Sequence, residues 1–346
     1  MSEGPEVKRT ADKLSSVLVG QTIEKIAFKK SGSQEIVKRL IGTNVKQIHT
    51  HGKNLVIEFT NGIFLRNHMM MWGKWRIYDR KQFDEGRAKP PPTIGKRHIN
   101  SKMKNDKKIN SNSRSSTAFT KVEQDGDGIQ KNNTVIYNNP SSDSTLKQID
   151  ENNSTTTTFS DIRTDRRVRL AIFTRDSVTV QFNGPILNFS ESDPFLTEQS
   201  LTRLGPDPLK SNFSYKEARI RFDARLKMKL ADLLLDQTFV AGVGNKYKSE
   251  LLFICKLNPF IAAWEVSTEK RDSLIKKIPD VLKFGYENAG RTRPHLESEE
   301  QNNWNFKHWV FRRAGKSCWI CNSSIKFDRN ASTRITYWCP NCQKAA

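Results

Sequence analysis

The chain has 346 residues, with 58 Lys+Arg against 37 Asp+Glu and a formal net charge of +21. That length suits two ordinary domains, no apolar run is long enough to span a bilayer, and Glu3 and Glu6 with no apolar stretch between them argue against a secretory signal. The excess of positive charge points to a polyanionic partner, and five cysteines, four of them paired, point to a reducing intracellular compartment rather than a disulfide framework.

Pro5 to Leu18 reads as a helix, with Pro5 at the first position and Gly20 past the end. Val7, Ala11, Leu14, Val17 and Leu18 share one face. Alternating segments follow at Thr22 to Lys29, Asn44 to His49, Leu55 to Phe59, Ile63 to Asn67 and Lys74 to Tyr78. Asn61-Gly62 signals a hairpin. Residues 80–165 then change character, with polar tracts and the runs Pro90 to Pro92 and Thr155 to Thr158. They have 15 basic and 11 acidic residues, so +17 of the charge lies elsewhere. Their low apolar content predicts a disordered insertion in a sheet. Strands resume in Arg167 to Arg175 and in the stretch holding Val178, Val180 and Phe182.

Gly205-Pro206-Asp207-Pro208 is a linker. Beyond it the periodicity is helical. Ser214 and Glu217 are spaced as a capping box. Met228 to Gln237 and Asn245 to Lys256 read as helices joined through Gly242 and Gly244. Ser267 to Glu287 continues the pattern around Pro279, and Cys255 reads as a buried core thiol. Cys318, Cys321, Cys339 and Cys342 close the chain with the spacing C-x₂-C-x₁₇-C-x₂-C. Four thiolates so spaced fold into a tetrahedral site suited to one structural Zn²⁺, with no position left open for water. The expected fold class is α+β. A β-rich domain over 1–204 with the insertion at 80–165 precedes a helical domain over 205–300 and a zinc finger over 301–346.

Removal of Met1 before a small residue would free the Ser2 α-amine, which titrates near ~8 and is partly neutral at neutral pH. The nearby helix N-terminus favours the neutral form. Such an amine can attack a sugar C1′ and form a Schiff base, and Glu3 beside it can act as general acid or base. Gly242 and Gly244 let backbone amides approach a ligand, and the helix that starts there favours phosphate.

These motifs, in this order, resemble the Fpg/Nei family of DNA glycosylases/AP lyases. SEGPEVKRTADKL is similar to the endonuclease VIII N-terminus. HGKNLVIEF supplies the family lysine as Lys53. LGPDPL and LLLDQTFVAGVGNKY match the linker and the helix-two-turn-helix, and STRITYWCPNCQ matches the finger loop. The resemblance implies an N-terminal helix with a β-sandwich, followed by a helix-two-turn-helix domain and the finger. It implies that the Ser2 amine attacks C1′, that Glu3 moves protons and that Lys53 contacts the phosphate beside the lesion. It further implies that Asn245 and Arg334 grip flanking phosphates, while Met70, Met71 and Trp72 fill the space left by a flipped base, one of the three packing in the core. The implied partner is damaged DNA, bound by a monomer, and the implied activity is excision of oxidised bases, pyrimidines by branch, with β,δ-elimination. One departure stands out: the family has proline where this chain has Ser2. The alternative expectation is therefore a damage-binding protein with the same grip but disabled at that position.

Overall fold

Residues 4–18 form the first helix because one stripe is apolar and the opposite one is charged; Val7, Ala11, Leu14 and Leu18 are all buried. The backbone amide of Glu3 is satisfied by the Glu6 carboxylate (3.2 Å). The structure is a computed structural model that describes residues 2–29, 34–91, 135–138, 165–295, 306–329 and 334–344.

Against that stripe lie two antiparallel sheets. The strands are β1 (Lys25–Phe28), β2 (Val45–His51), β3 (Asn54–Phe59), β4 (Phe64–His68), β5 (Lys74–Asp79), β6 (Val135–Asn138), β7 (Val168–Phe173), β8 (Ser177–Phe182) and β9 (Ile186–Ser190). One sheet runs β5-β8-β7-β1-β6 and the other β2-β3-β4-β9. Ile26, Leu170 and Ile172 from the first sheet meet Leu55, Ile57 and Leu65 from the second in one core. This is a β-sandwich closed on one side by the N-terminal helix. The hairpin between β3 and β4 turns over Thr60 to Gly62 with only Gly62 left-handed (φ 80°), a three-residue loop rather than a two-residue one. The helix Gln34–Lys38 and strand β9 have no counterpart in the sequence expectation.

The expected disordered insertion begins too early. Residues 80–91 are folded: Arg80–Asp84 is helical, capped by Asp79, and Phe83 and Ala88 are buried against Val178, Val180 and Phe182. The reason is that the outer face of the five-stranded sheet is itself apolar and takes these few apolar side chains as its cover. A second correction lies inside the insertion, where Val135–Asn138 pairs antiparallel with β1, Lys25 opposite Asn138. Residues 92–134 and 139–164 lie outside the described residues.

In the second half, Ser214 Oγ accepts from the Glu217 amide (3.1 Å), but the Glu217 carboxylate turns to Arg221, so only half of the capping box forms. The helix expected over Met228 to Gln237 shrinks to Leu230–Leu233. What replaces its end is a side-chain-knitted turn: Gln237 donates to the carbonyls of Leu235 (2.9 Å) and Val243 (2.8 Å) and accepts from Gly242 N (3.0 Å). Helix Asn245–Ile254 follows, then Thr268–Glu287, which stays helical through Pro279. A two-stranded hairpin, β10 (Lys326–Asp328) with β11 (Thr336–Trp338), forms the finger. Among the described residues no helix is long and apolar enough to cross a membrane.

Phe83 separates a folded cover from a disordered start. Phe83→Ala should cost about 3–5 kcal/mol in urea unfolding, the usual loss for a buried aromatic; no change in the midpoint would return residues 80–91 to the disordered class.

Candidate active site at the domain junction

The two halves meet where side chains are absent. A Cβ on Gly52 would lie 2.8 Å from Ala241 Cβ and 2.9 Å from Gly242 N, and Gly242 itself has φ 95°. This close approach lets Gly4 N donate to Gly242 O (2.9 Å). Gly52 N donates to the Asp207 carboxylate (2.8 Å), and His51 Nε2 lies 2.8 Å from Gly205 O. The linker is thus stitched to the β2–β3 turn.

Glu3 crosses this junction. Its carboxylate is 1 % exposed and accepts from Lys246 N (2.9 Å) and Tyr247 N (3.2 Å), the first turn of helix Asn245–Ile254. That helix starts after Gly244, which has no side chain to cap it, and a Cβ there would sit 2.3 Å from Glu3 Cδ. A carboxylate from the other domain therefore performs the capping, with the helix dipole favouring its negative charge. Burial nonetheless wins and pushes the Glu3 carboxyl above its usual value, opposed by the Lys246 charge, reinforced by Glu6 and opposed again by Lys53.

Around this one carboxyl stand several cations. Lys53, half-buried on the β2–β3 turn, is pushed down by burial; Glu3 resists the shift and Arg334 adds to it. Lys248 is fully buried, bonds Thr336 Oγ1 (2.8 Å) and Ile335 O (3.3 Å), and is pushed down to about 8 by burial, with Asp232 and Glu3 resisting and Arg334 assisting. His68, across the ladder from Asn54, is held below its usual range by burial and by Lys53 and Arg66. The Met70 amide donates to His68 Nδ1 (3.1 Å), so the proton of the neutral ring sits on Nε2. The Lys246 ammonium is paired with Glu6 (2.5 Å) and donates to Gly290 O (3.1 Å).

Of the residues expected from sequence, Lys53 thus lies within electrostatic reach of both Glu3 and Arg334. Asn245 opens the helix that Glu3 caps; it is 9 % exposed, and its amide oxygen is buried without a hydrogen-bond partner. Ser2 is half-buried immediately before Glu3. Met70, Met71 and Trp72 occupy the β4–β5 turn and are all exposed, at 46 %, 45 % and 52 %. The expectation that one of them packs in the core is wrong; the alternation that buries Leu65 and Asn67 ends with Met69 inside, and the left-handed Met70 (φ 51°) then breaks it, so Met71 stays outside. Lys246, Lys248 and His68 were not foreseen. The signal was there in NKYKSE, a charged stretch in a helix buried along Asn245 to Phe253.

The four finger cysteines have their sulfurs within 4.8 Å of one another. Cys318 and Cys342 are 3.8 Å apart and Cys321 and Cys339 3.4 Å, near the ~3.8 Å edge of a tetrahedron with Zn–S of about 2.3 Å. The four could bind a metal ion. Cys255 is half-buried rather than fully so, and burial pushes its thiol up to about 11. Glu250 accepts from the amides of Trp309, Val310 and Phe311 (2.8–2.9 Å), which fastens the finger to the same helix.

Comparison with known proteins agrees with this geometry. Residues 1–119 match the formamidopyrimidine-DNA glycosylase N-terminal domain and residues 204–294 the formamidopyrimidine-DNA glycosylase H2TH domain, together well over half of the chain. Similar curated proteins include the endonuclease 8 of Pectobacterium atrosepticum, 23 % identical, and that of an Escherichia coli strain, 24 % identical, each aligned over 99 % of this chain and all of the relative. Two Lactococcus lactis Fpg structures share the fold at 20 % identity over 99 % of each chain. One is a complex with N7-benzyl-Fapy-dG DNA (TM-score 0.65) and one with abasic-site DNA (0.66). The chain belongs to the Fpg/Nei family of DNA glycosylases/AP lyases.

Lys246 offers a direct handle on Glu3. Lys246→Met removes the main charge opposing burial, so the Glu3 carboxyl should rise further. Where Glu3 acts as an acid, the alkaline limb of the base-excision pH profile should then move to higher pH, while Lys246→Arg should leave it in place. A shift of that limb to lower pH would contradict the arrangement.

Proposed function

We propose that this protein is a bifunctional DNA glycosylase and AP lyase of base excision repair that works through the Ser2 amine. The observation that carries this reading is the seat of Glu3: a protonatable carboxyl, buried on a helix N-terminus and ringed by cations, one residue from Ser2. The free amine attacks C1′ of the damaged nucleotide, and the base leaves as Glu3 protonates the sugar ring oxygen. The resulting Schiff base accepts electrons as a C2′ proton is lost and the 3′ phosphate departs; a second elimination releases the 5′ phosphate. Lys53, Asn245, Arg334 and the Nε2–H of His68 hold the phosphates on either side. Met70, Met71 and Trp72, exposed on one turn, fill the gap left by the extruded nucleotide. Oxidised pyrimidines are the preferred lesions by likeness to the endonuclease VIII branch. The protein acts as a monomer in the compartment that holds the DNA, the bacterial cytoplasm or nucleoid, or the nucleus of a eukaryote. Nothing in the fold or the relatives favours the non-catalytic alternative.

The metal is one Zn²⁺ held by Cys318, Cys321, Cys339 and Cys342; bound there it supplies rigidity and no catalytic water, since four thiolates fill its shell. The proposed domains are a catalytic sandwich over 1–204, the helix-two-turn-helix over 205–300 and the finger over 301–346. Cys339→Ser should lose zinc and the folded hairpin. Arg334→Ala should keep zinc and weaken abasic-DNA binding by about 1–3 kcal/mol, as for a charge-assisted contact. Unchanged zinc content and affinity in both would remove the finger from the reading.

Borohydride reduction on an abasic duplex, followed by mass spectrometry of the linked peptide, tests the nucleophile. The DNA should be attached to the peptide that begins at Ser2. Attachment to the peptide containing Lys53, or full activity in a protein with a blocked N-terminus, would reject Ser2.

A further inference from the structure

Ser2 differs from the family's proline in more than its primary amine. A hydroxyl stands on the carbon next to the one that bears the nitrogen, and among the described residues it has no hydrogen-bond partner. The segment that presents it is pinned: Gly4 N bonds Gly242 O (2.9 Å), and the next side chain, Glu3, is locked by two backbone amides. The Cα–Cβ connectivity of Ser2 itself keeps the hydroxyl within five-membered-ring reach of any carbon that the amine has captured. Resting on the reading of Ser2 as nucleophile, we propose a second activity: the Ser2 hydroxyl closes onto the Schiff-base carbon and holds the abasic site as an uncut, covalent oxazolidine.

The step balances without an oxidant or a cofactor. Amine and ring-opened aldehyde first condense to the protonated imine with loss of water. Ser2 Oγ then adds to C1′, the C=N π pair moves to nitrogen, and the hydroxyl proton passes to the Glu3 carboxylate. The ring contains C1′, the nitrogen, Cα, Cβ and Oγ. Its closure is intramolecular, so the hydroxyl acts at a high effective concentration. C1′ is now tetrahedral, the electron sink is gone, and neither phosphate can be eliminated. Return of the proton from Glu3 reopens the imine and restores the lyase. Proline has no hydroxyl and cannot enter this state. The partner is thus an abasic aldehyde in DNA, captured and shielded before it is cut.

The test uses the full chain and a duplex with an abasic site ¹³C-labelled at C1′. Intact mass first establishes that Met1 is absent from wild type, Ser2→Ala and Ser2→Cys. Wild type should develop a tetrahedral N,O-bonded ¹³C signal and retain an uncut covalent complex. Ser2→Ala keeps a primary amine, so it should still crosslink with borohydride. It should lack that signal and nick the strand several-fold faster. Ser2→Cys closes the more stable thiazolidine, so it should nick more slowly than wild type and accumulate more uncut complex. Crosslinking by all three proteins, with only imine and aldehyde carbon in wild type and equal nicking by wild type and Ser2→Ala, would overturn the ring and leave the nucleophile standing. Absence of a borohydride crosslink in all three, or full activity in protein that retains Met1, would overturn the nucleophile and the ring together.

Discussion

One buried carboxylate holds the arrangement together. Moving a carboxylate out of water costs several kcal/mol even after relaxation. A helix N-terminus returns at most about 2 kcal/mol, and each charge-assisted hydrogen bond about 1.5–3 kcal/mol. Glu3 has two such bonds and the Lys246 charge beside it, yet burial still dominates its protonation. The consequence is a group that exchanges its proton more readily than a surface glutamate would. Because its two acceptor oxygens belong to one domain and its donors to the other, the same contact that fixes the domain angle also prepares the acid.

The helix that receives Glu3 is unusual in its interior. Asn245 to Phe253 is buried throughout although it includes Lys246, Lys248, Ser249 and Glu250. Each charged group is matched to a different neighbour: Lys246 to Glu6, Lys248 to Thr336 and the Ile335 carbonyl, Glu250 to the amides leading into the finger. Removing any one partner would strand a buried charge, which costs more than the pair contributes. The polar residues act as addresses, telling three segments where to dock, while Leu251, Leu252 and Tyr247 supply the apolar contact.

Much of this was legible in the residues. The N-terminal helix, the alternating strands and the finger spacing are local patterns, and local patterns survive folding. The failures are tertiary. Phe83 and Ala88 look like stray apolar residues in a polar tract until the outer face of β7 and β8 is there to receive them. Met71 would be the next inward residue after Leu65, Asn67 and Met69, but the left-handed Met70 ends the alternation before it. Ser214 keeps its cap, but Glu217 prefers an arginine one turn on. The site divides in the same way. Glu3, Lys53, Asn245 and Arg334 follow from motif resemblance, whereas Lys246 and Lys248 emerge only when distant stretches of chain converge on one carboxyl, and His68 only through its place beside Lys53.

Strand β6 has a role beyond completing a ladder. β1 is only four residues long, and one of its edges would otherwise present free amides and carbonyls. Such an edge is a template for pairing with another chain. By sending Val135–Asn138 back from the long connection between β5 and β7, the protein spends part of its own insertion to seal that edge. The sealing segment is separated from β1 by about a hundred residues of sequence, so it is paired late and at an entropic cost that grows slowly with loop length. During synthesis β1 emerges long before its cover does. Its other edge waits longer still, for β7, so both edges of β1 take their partners from sequence far downstream.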